Sequence, residues 1–206
     1  MLNAARSLFN SARIMPNKYT GPTLPTAIHA SQNLPQAGSG PDKEEGIFAN
    51  GCFWGGEHMI RKHMSKGLID VKVGYIGGSV ENPNYRQVCS GSTQHAEAYK
   101  VIFDPTQVSY AEFTEFFYRM HDPTQVDRQG PDRGTQYRSA IFTTSDEQDR
   151  IARKVQEEVQ DEHYKGTKIA TTIQKAGKWW DAEDYHQQYL DNNPGGYECP
   201  SHVLHW

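Results

Sequence analysis

Gly51-Cys52-Phe53-Trp54-Gly55-Gly56-Glu57-His58 places a thiol where an apolar segment gives way to a helical pattern. Upstream, Ile47-Phe48-Ala49 has the composition of a short buried strand; downstream, Phe53, Ile60 and Met64 recur on one helical stripe. Cys52 therefore stands at a strand-to-helix turn, close to the helix start. Unpaired N–H groups and the positive end of the helix dipole favour a thiolate there, which takes a thiol from about 8.5 into a range of roughly 3.5 to 7.5. The same residues are compatible with an inert cysteine buried among packing aromatics.

Outward from this turn, the alternation Ile69, Val71, Val73, Tyr75, with Asp70 and Lys72 between, predicts a half-buried strand that the glycines Gly74, Gly77 and Gly78 end in a turn. A further strand runs from Ala96 to Phe103, with Glu97, Tyr99, Val101 and Phe103 on one face and Lys100 on the watered face. Asp104-Pro105 stops it. Ser109-x-x-Glu112 is a capping box opening a helix whose Phe113, Phe116, Phe117 and Met120 form a core stripe. Arg138 to Phe142 reads as another strand, and Ser145-x-x-Gln148 caps a surface helix with Ile151, Val155 and Val159 on a narrow apolar stripe. Lys168 to Ile173 follows as a strand and Trp179 to Leu190 as an irregular segment or short helix. Residues 191–206, with the run Asn-Asn-Pro-Gly-Gly, read as a mobile tail. This order predicts an α+β fold, a single two-layer domain with helices packed on a mixed or mainly antiparallel sheet.

Composition narrows the class. The 206 residues carry a net charge of -4 and have a pI near 6.1, with no clustered Lys/Arg stripe, which argues against nucleic acid as a partner. No run approaches the roughly 18 apolar residues of a membrane span. Three widely separated cysteines, Cys52, Cys89 and Cys199, make neither a secreted disulfide framework nor a Cys-x-x-Cys motif; a reducing compartment and a reactive thiol fit them better. From Met1 through Pro41 there is no Asp or Glu, whereas Arg6, Arg13 and Lys18 are present. Leu2, Arg6, Leu8, Phe9 and Arg13 fit a short basic amphipathic helix of the mitochondrial-address kind. Initiation at Met15 would discard both arginines, so one gene could serve mitochondria and cytoplasm. The expectation for residues 1–45 is a leader, possible transit peptide or otherwise disordered; residues 46–190 are the globular domain.

Glu97 is the second chemical feature. A carboxyl held against Tyr99, Val101 and Phe103 is desolvated, so its pKa rises, and a neutral acid near pH 7 can protonate a developing oxyanion. Tyr85 and Tyr137 both stand at expected loop-to-strand junctions, where side chains are presented to a site, although packing alone accounts for a tyrosine at either position. Asp132 lies in the polar loop Asp127-Arg128-Gln129-Gly130-Pro131-Asp132-Arg133, suited to a binding rim.

Together with this turn, Val-Gly-Tyr-x-Gly-Gly at 73–78, Asn-Pro-x-Tyr-x-x-Val-Cys at 82–89, His-Ala-Glu at 95–97, Gly-Thr-Gln-Tyr-Arg-Ser at 134–139 and Ala-Glu-Asp-Tyr-His-Gln-Gln-Tyr-Leu at 182–190 resemble the A-type peptide methionine sulfoxide reductases. The resemblance covers about residues 46–200. It implies a ferredoxin-like α/β roll and reduction of the S epimer of methionine sulfoxide, free or in proteins, in oxidative-damage repair. It further implies that Cys52 attacks the sulfoxide sulfur while Glu97, aided by Tyr85 and Tyr137, protonates the oxygen, leaving Cys52 as a sulfenic acid. Phe53 and Trp54 correspond to the methyl pocket, Asp132 to its polar edge, and His186 and Tyr189 to residues standing behind it. Cys199, in the tail, is the expected resolving cysteine, with Cys89 its rival. Thioredoxin is the expected partner and reductant, replaceable by dithiothreitol in vitro, with no bound cofactor or metal and a monomeric chain. Gln94 stands where many relatives have Gly, and this chain has one tail cysteine where some members have two.

Two other classes compete. A cysteine hydrolase would use Cys52 with a histidine base, but no Cys/His signature supports it and Glu97 would have no task. A zinc module using Cys52, His58, His63, Cys199 or His202 has ligand spacings unlike the usual closed sets.

Overall fold

The stripe of Phe113, Phe116, Phe117 and Met120 can be satisfied only against the face of a sheet, and there it lies, fully buried, in the computed structural model, which describes residues 18–206. In chain order the elements are α1 (Pro25–Gln32), β1 (Glu44–Asn50), α2 (Phe53–His63), β2 (Leu68–Ile76), α3 (Tyr85–Cys89), β3 (Ala96–Phe103) and α4 (Tyr110–Arg119). A small hairpin of β4 (Arg128–Gln129) and β5 (Asp132–Arg133) follows, then a 3-10 turn at Thr135–Tyr137, β6 (Ser139–Thr143) and α5 (Asp146–His163). β7 (Thr172–Lys175), β8 (Trp180–Asp181), a 3-10 turn at Asp184–His186 and α6 (Tyr189–Asn192) complete them.

Six strands form one mixed sheet in the order β7-β6-β1-β3-β2-β8. Only the β6–β7 pairing is parallel. The central β6-β1-β3-β2 order, with α2 and α4 as crossovers, is the ferredoxin-like β-α-β-β-α-β arrangement that the resemblance implied. On β2, Val71, Val73 and Tyr75 point into the core while Ile69 is 55% exposed. On β3, Glu97, Tyr99, Val101 and Phe103 are all buried, as the alternation requires. The opposite sheet face is lined by small residues, Ala49, Ala96, Ala98 and Ala140 among them, and Trp179 covers it with Lys100 5.1 Å from its ring. Both arms of the Ser109/Glu112 capping box form. Among the described residues no helix is long and apolar enough to cross a membrane.

Four expectations need correction. The strand expected over Lys168 to Ile173 begins instead at Thr172, because the Ala170 N–H is taken by the Pro123 carbonyl at 2.7 Å and is lost to the ladder. Tyr85 opens a short helix rather than a strand; Asn84-x-x-Gln87 forms a full capping box, a signal present in the sequence. Disorder through residue 45 does not hold, since Leu24 and Ala27 are fully buried. The Glu115 carboxylate on α4 accepts from Thr23 N, Thr23 Oγ1 and Leu24 N at 2.8 to 3.1 Å, and Glu158 on α5 accepts from Thr26. Two helices thus supply negative charge where α1 starts, which favours that end of its dipole. The leader residues Leu2, Arg6, Leu8, Phe9, Arg13 and Met15 lie outside the described residues.

Finally, the 191–206 segment is packed rather than loose. Cys199, His202 and Leu204 are buried. Arg119 donates from Nε and Nη2 to the Trp206 carbonyl at 3.0 and 2.7 Å and accepts, through its own carbonyl, from His205 N at 2.7 Å. The Trp206 ring stacks on His163 with centroids 4.0 Å apart. Arg119, paired with Glu115 at 3.3 Å, therefore ties this segment to α4 and the start of α1 together. Turn-forming composition signals lack of regular structure, not lack of contacts.

Candidate active site

β1 ends at Asn50, and Gly51 turns the chain at φ +104°, where a Cβ would stand 2.6 Å from Cβ of Gln129. Both the backbone angle and the space demand glycine. Cys52 follows as the N-cap of α2, and its own side chain makes no capping hydrogen bond. The unpaired N–H groups of Trp54 and Gly55 in the first turn favour the Cys52 thiolate, while the N–H of Phe53 donates to Glu97 Oε2 at 3.2 Å. One helix start thus serves a thiol and a carboxyl. Glu97 is 1% exposed. Burial raises its pKa from 4.5 to about 8, against the Phe53 hydrogen bond and with a smaller push from Asp132. It is the neutral acid that its strand face predicts.

The Cys52 thiol behaves otherwise than the helix start alone suggests. Burial first, then the charge of Glu97, push it well above an ordinary thiol, with Asp132 adding to them and the Trp54 and Gly55 amides opposing. Desolvation outweighs the dipole because the sulfur lies inside the wall rather than at its surface. While Glu97 holds its proton its repulsion of the thiolate is absent, so the two groups titrate as a pair.

Tyr85 and Tyr137 come from α3 and the 3-10 turn before β6, and both phenols act on the Cys89 thiol, opposing the rise that its burial causes. Burial keeps both phenols neutral, with the charge of Glu97 acting in the same direction. Cys89 is therefore a partly exposed member of the same cluster.

The remaining wall is aromatic. Trp54 stacks on Tyr189 with centroids 3.8 Å apart and 15° between planes, and its Nε1 donates to His186 Nδ1 at 3.1 Å. His186 sits among Phe53, Trp54, Tyr85 and Tyr185, with centroids 4.2 to 5.6 Å away. Desolvation keeps its imidazole neutral, as an acceptor for Trp54 must be. Residues that sequence reasoning missed hold this wall up. Glu183 accepts from Tyr75 OH at 2.7 Å and from the N–H of Tyr85 at 2.9 Å. Gln187 pairs with both the N–H and the carbonyl of Val73 at 2.9 Å, completing β2's edge with a side-chain amide. Buried Glu57 accepts from Gln188 N at 2.8 Å, fixing the start of α6 and so Tyr189. Glu57, Glu183 and Gln187 stand inside the matched motifs, and their polarity within aromatic runs was the available signal.

Asp132, on β5, accepts from Tyr197 OH at 2.9 Å, and its other oxygen is buried without a partner. Its charge acts on Cys52 and Cys199 alike. Cys199 Sγ lies 3.1 Å from Ser201 Oγ and donates to the Gln129 carbonyl at 3.6 Å. Of the zinc-module residues, His58 pairs with Asp191 and His202 with the Asn50 carbonyl. Among the described residues no three His, Cys, Asp or Glu side chains gather as a metal site.

A thiol at a helix start, a neutral buried acid beside it and an aromatic socket define a thiol enzyme that can protonate an oxygen on its substrate. The sequence matches the peptide methionine sulfoxide reductase description over residues 44–204. A probable peptide methionine sulfoxide reductase of Schizosaccharomyces pombe is 54% identical over 162 residues, 78% of this chain and 95% of that protein. The crystal structure of Mxr1 from Saccharomyces cerevisiae in reduced form superimposes with a TM-score of 0.77 at 41% identity, covering 85% of this chain and 98% of the other. Mxr1 in complex with Trx2 matches with a TM-score of 0.56 at 32% identity, covering 80% and 91%. The chain belongs to the peptide methionine sulfoxide reductase family, and it reduces methionine sulfoxide by thiol chemistry.

Proposed function

We propose that the protein reduces the S epimer of methionine sulfoxide, free or within proteins, with Cys52 as nucleophile, Glu97 as general acid and thioredoxin as the reductant of a Cys52–Cys199 disulfide. The observation that carries this reading is the buried, proton-holding carboxyl of Glu97 bound to the N–H of the residue that follows Cys52. Sulfoxide oxygen is a poor leaving oxygen until it is protonated, and a carboxylate would repel it. With substrate bound, the Cys52 sulfur attacks the sulfoxide sulfur as Glu97 protonates the oxygen, with Tyr85 and Tyr137 donating hydrogen bonds. Transfer of the oxygen leaves methionine and a Cys52 sulfenic acid, and the thiol proton lost by Cys52 restores Glu97. Phe53 and Trp54 hold the substrate methyl group, braced by His186 and Tyr189, while Asp132 and Tyr197 form the polar edge. Cys199 then displaces hydroxide from the sulfenic sulfur, and thioredoxin reduces the resulting disulfide.

The decisive experiment is Cys52→Ser assayed on the S-sulfoxide with dithiothreitol, where turnover is expected to vanish; retained turnover refutes the nucleophile. Cys199→Ser is expected to keep one turnover and lose thioredoxin-supported recycling, whereas normal recycling assigns resolution to Cys89. The same reading takes the chain as a monomer, to be checked by sedentation-independent light scattering. It assigns residues 1–14 a mitochondrial address, with Met15 as an alternative cytoplasmic start; a reporter fused to residues 1–45 that stays diffuse in the cytosol refutes the address.

A further inference from the structure

Three residues beyond Cys199, a histidine that the proposed chemistry leaves unused is buried against the turn that carries Cys52. His202 is 2% exposed. Its Nε2 donates to the carbonyl oxygen of Asn50 at 2.8 Å, at the end of β1 and two residues before Cys52. Because a carbonyl only accepts, that nitrogen carries the ring proton, and Nδ1 is left as a buried acceptor without a partner. Nδ1 faces Gly55 so closely that a Cβ there would stand 1.9 Å away. Gly55 is one of the two residues whose N–H groups favour the Cys52 thiolate. On the tail side, the N–H of His202 donates to the Cys199 carbonyl at 3.0 Å, closing the turn Cys199-Pro200-Ser201-His202. One side chain therefore joins the turn that carries one thiol to the turn that carries the other.

We propose that His202 is a positioning residue for the resolving step, seating the Cys199 turn on the Asn50–Gly55 turn. This inference rests on the reading that Cys199 resolves the Cys52 sulfenic acid. An unpaired buried nitrogen carries a desolvation cost that an apolar side chain of similar size would avoid. What the imidazole supplies instead is one directional bond at a fixed distance from Cys52. In the step it serves, the Cys199 sulfur attacks the Cys52 sulfur; the S–S bond forms as the S–OH bond breaks, and the hydroxyl leaves with the thiol proton as water. Disulfide geometry tolerates Cα separations of only roughly 4.4 to 6.8 Å, and a misplacement of about 1 Å can slow a positioned reaction on the order of a hundredfold.

The test compares wild type, His202→Ala and His202→Gln, each reduced, freed of reductant and given one equivalent of methionine sulfoxide. Methionine release reports the first chemical step, and acid-quenched mass mapping reports the Cys52–Cys199 link. In His202→Ala, methionine release is expected to stay close to wild type while the link forms about tenfold more slowly or worse. The Gln amide can donate to the Asn50 carbonyl, so His202→Gln is expected to recover most of that loss. An unchanged or faster link in His202→Ala overturns the proposal, as does an equal fall in both steps, which would mark a general packing role. A wild-type protein that releases methionine without forming the Cys52–Cys199 link overturns the assignment of Cys199 itself, and this inference with it.

Discussion

Glu97→Gln should make the protein more stable while crippling it. Folding moves the Glu97 pKa from 4.5 to about 8, chiefly by burial. A carboxyl with a raised folded pKa contributes nothing adverse below its unfolded pKa; from there, each pH unit up to the folded value costs the native state about 1.4 kcal/mol, because the unfolded chain ionises and the folded one does not. At pH 7 the wild type therefore carries a penalty of about 3 kcal/mol, growing to about 5 kcal/mol above pH 8. A glutamine amide keeps the acceptor for the Phe53 N–H and never ionises. Urea unfolding at pH 4.5 and at pH 7.5 measures the effect: the variant should gain stability over wild type at the higher pH and lose that gain at the lower. An equal difference at both values would refute the claim that Glu97 is buried as a neutral acid. Single-turnover reduction in the wild type should hold across that window and fall only as pH rises through about 8 and the folded acid loses its proton; it should be slowed about a hundredfold or more in Glu97→Gln, whose amide can donate a hydrogen bond but no proton.

Trp54→Ala removes the Tyr189 stack and the His186 bond together, and kcat/KM for the sulfoxide should fall about 10- to 100-fold, a loss of about 1.4 to 3 kcal/mol read in steady-state kinetics. Tyr85→Phe and Tyr137→Phe should each slow single-turnover methionine release about tenfold, and the double variant should lose more than either single one, since two donors serve one developing charge. Arg119→Ala strands Glu115 without its buried partner and is expected to cost about 3 to 5 kcal/mol in chemical denaturation. Limited proteolysis of the same variant should open both the 18–24 segment and the 199–206 segment, because one guanidinium holds both.

Local patterns were legible before any coordinates. The Ser109 and Ser145 caps, the alternation of β2 and the face of β3 carrying Glu97 depend on residues within one or two turns of each other, so the sequence states them directly. The helix at Tyr85 is equally local, since its Asn84/Gln87 capping box lies within one turn. The docking of α1 is different in kind: Leu24 and Ala27 are too few to announce a core helix, and what fixes them is a pair of carboxylates, Glu115 and Glu158, some 91 to 132 residues away.

For the site the division is the same. The sequence by itself determined the order of elements, the thiol at a helix start, the acid on an apolar face and the family motifs, because periodicity, capping and residue chemistry are short-range properties. Tertiary structure alone decided that the Cys52 thiol is pushed up rather than down, that Cys89 and the two tyrosines act on one another electrostatically, and that the tail is hydrogen-bonded through His202 and Arg119. Each of these is a sum over neighbours distant in the chain; at Cys52, desolvation above all outweighs the local helix dipole.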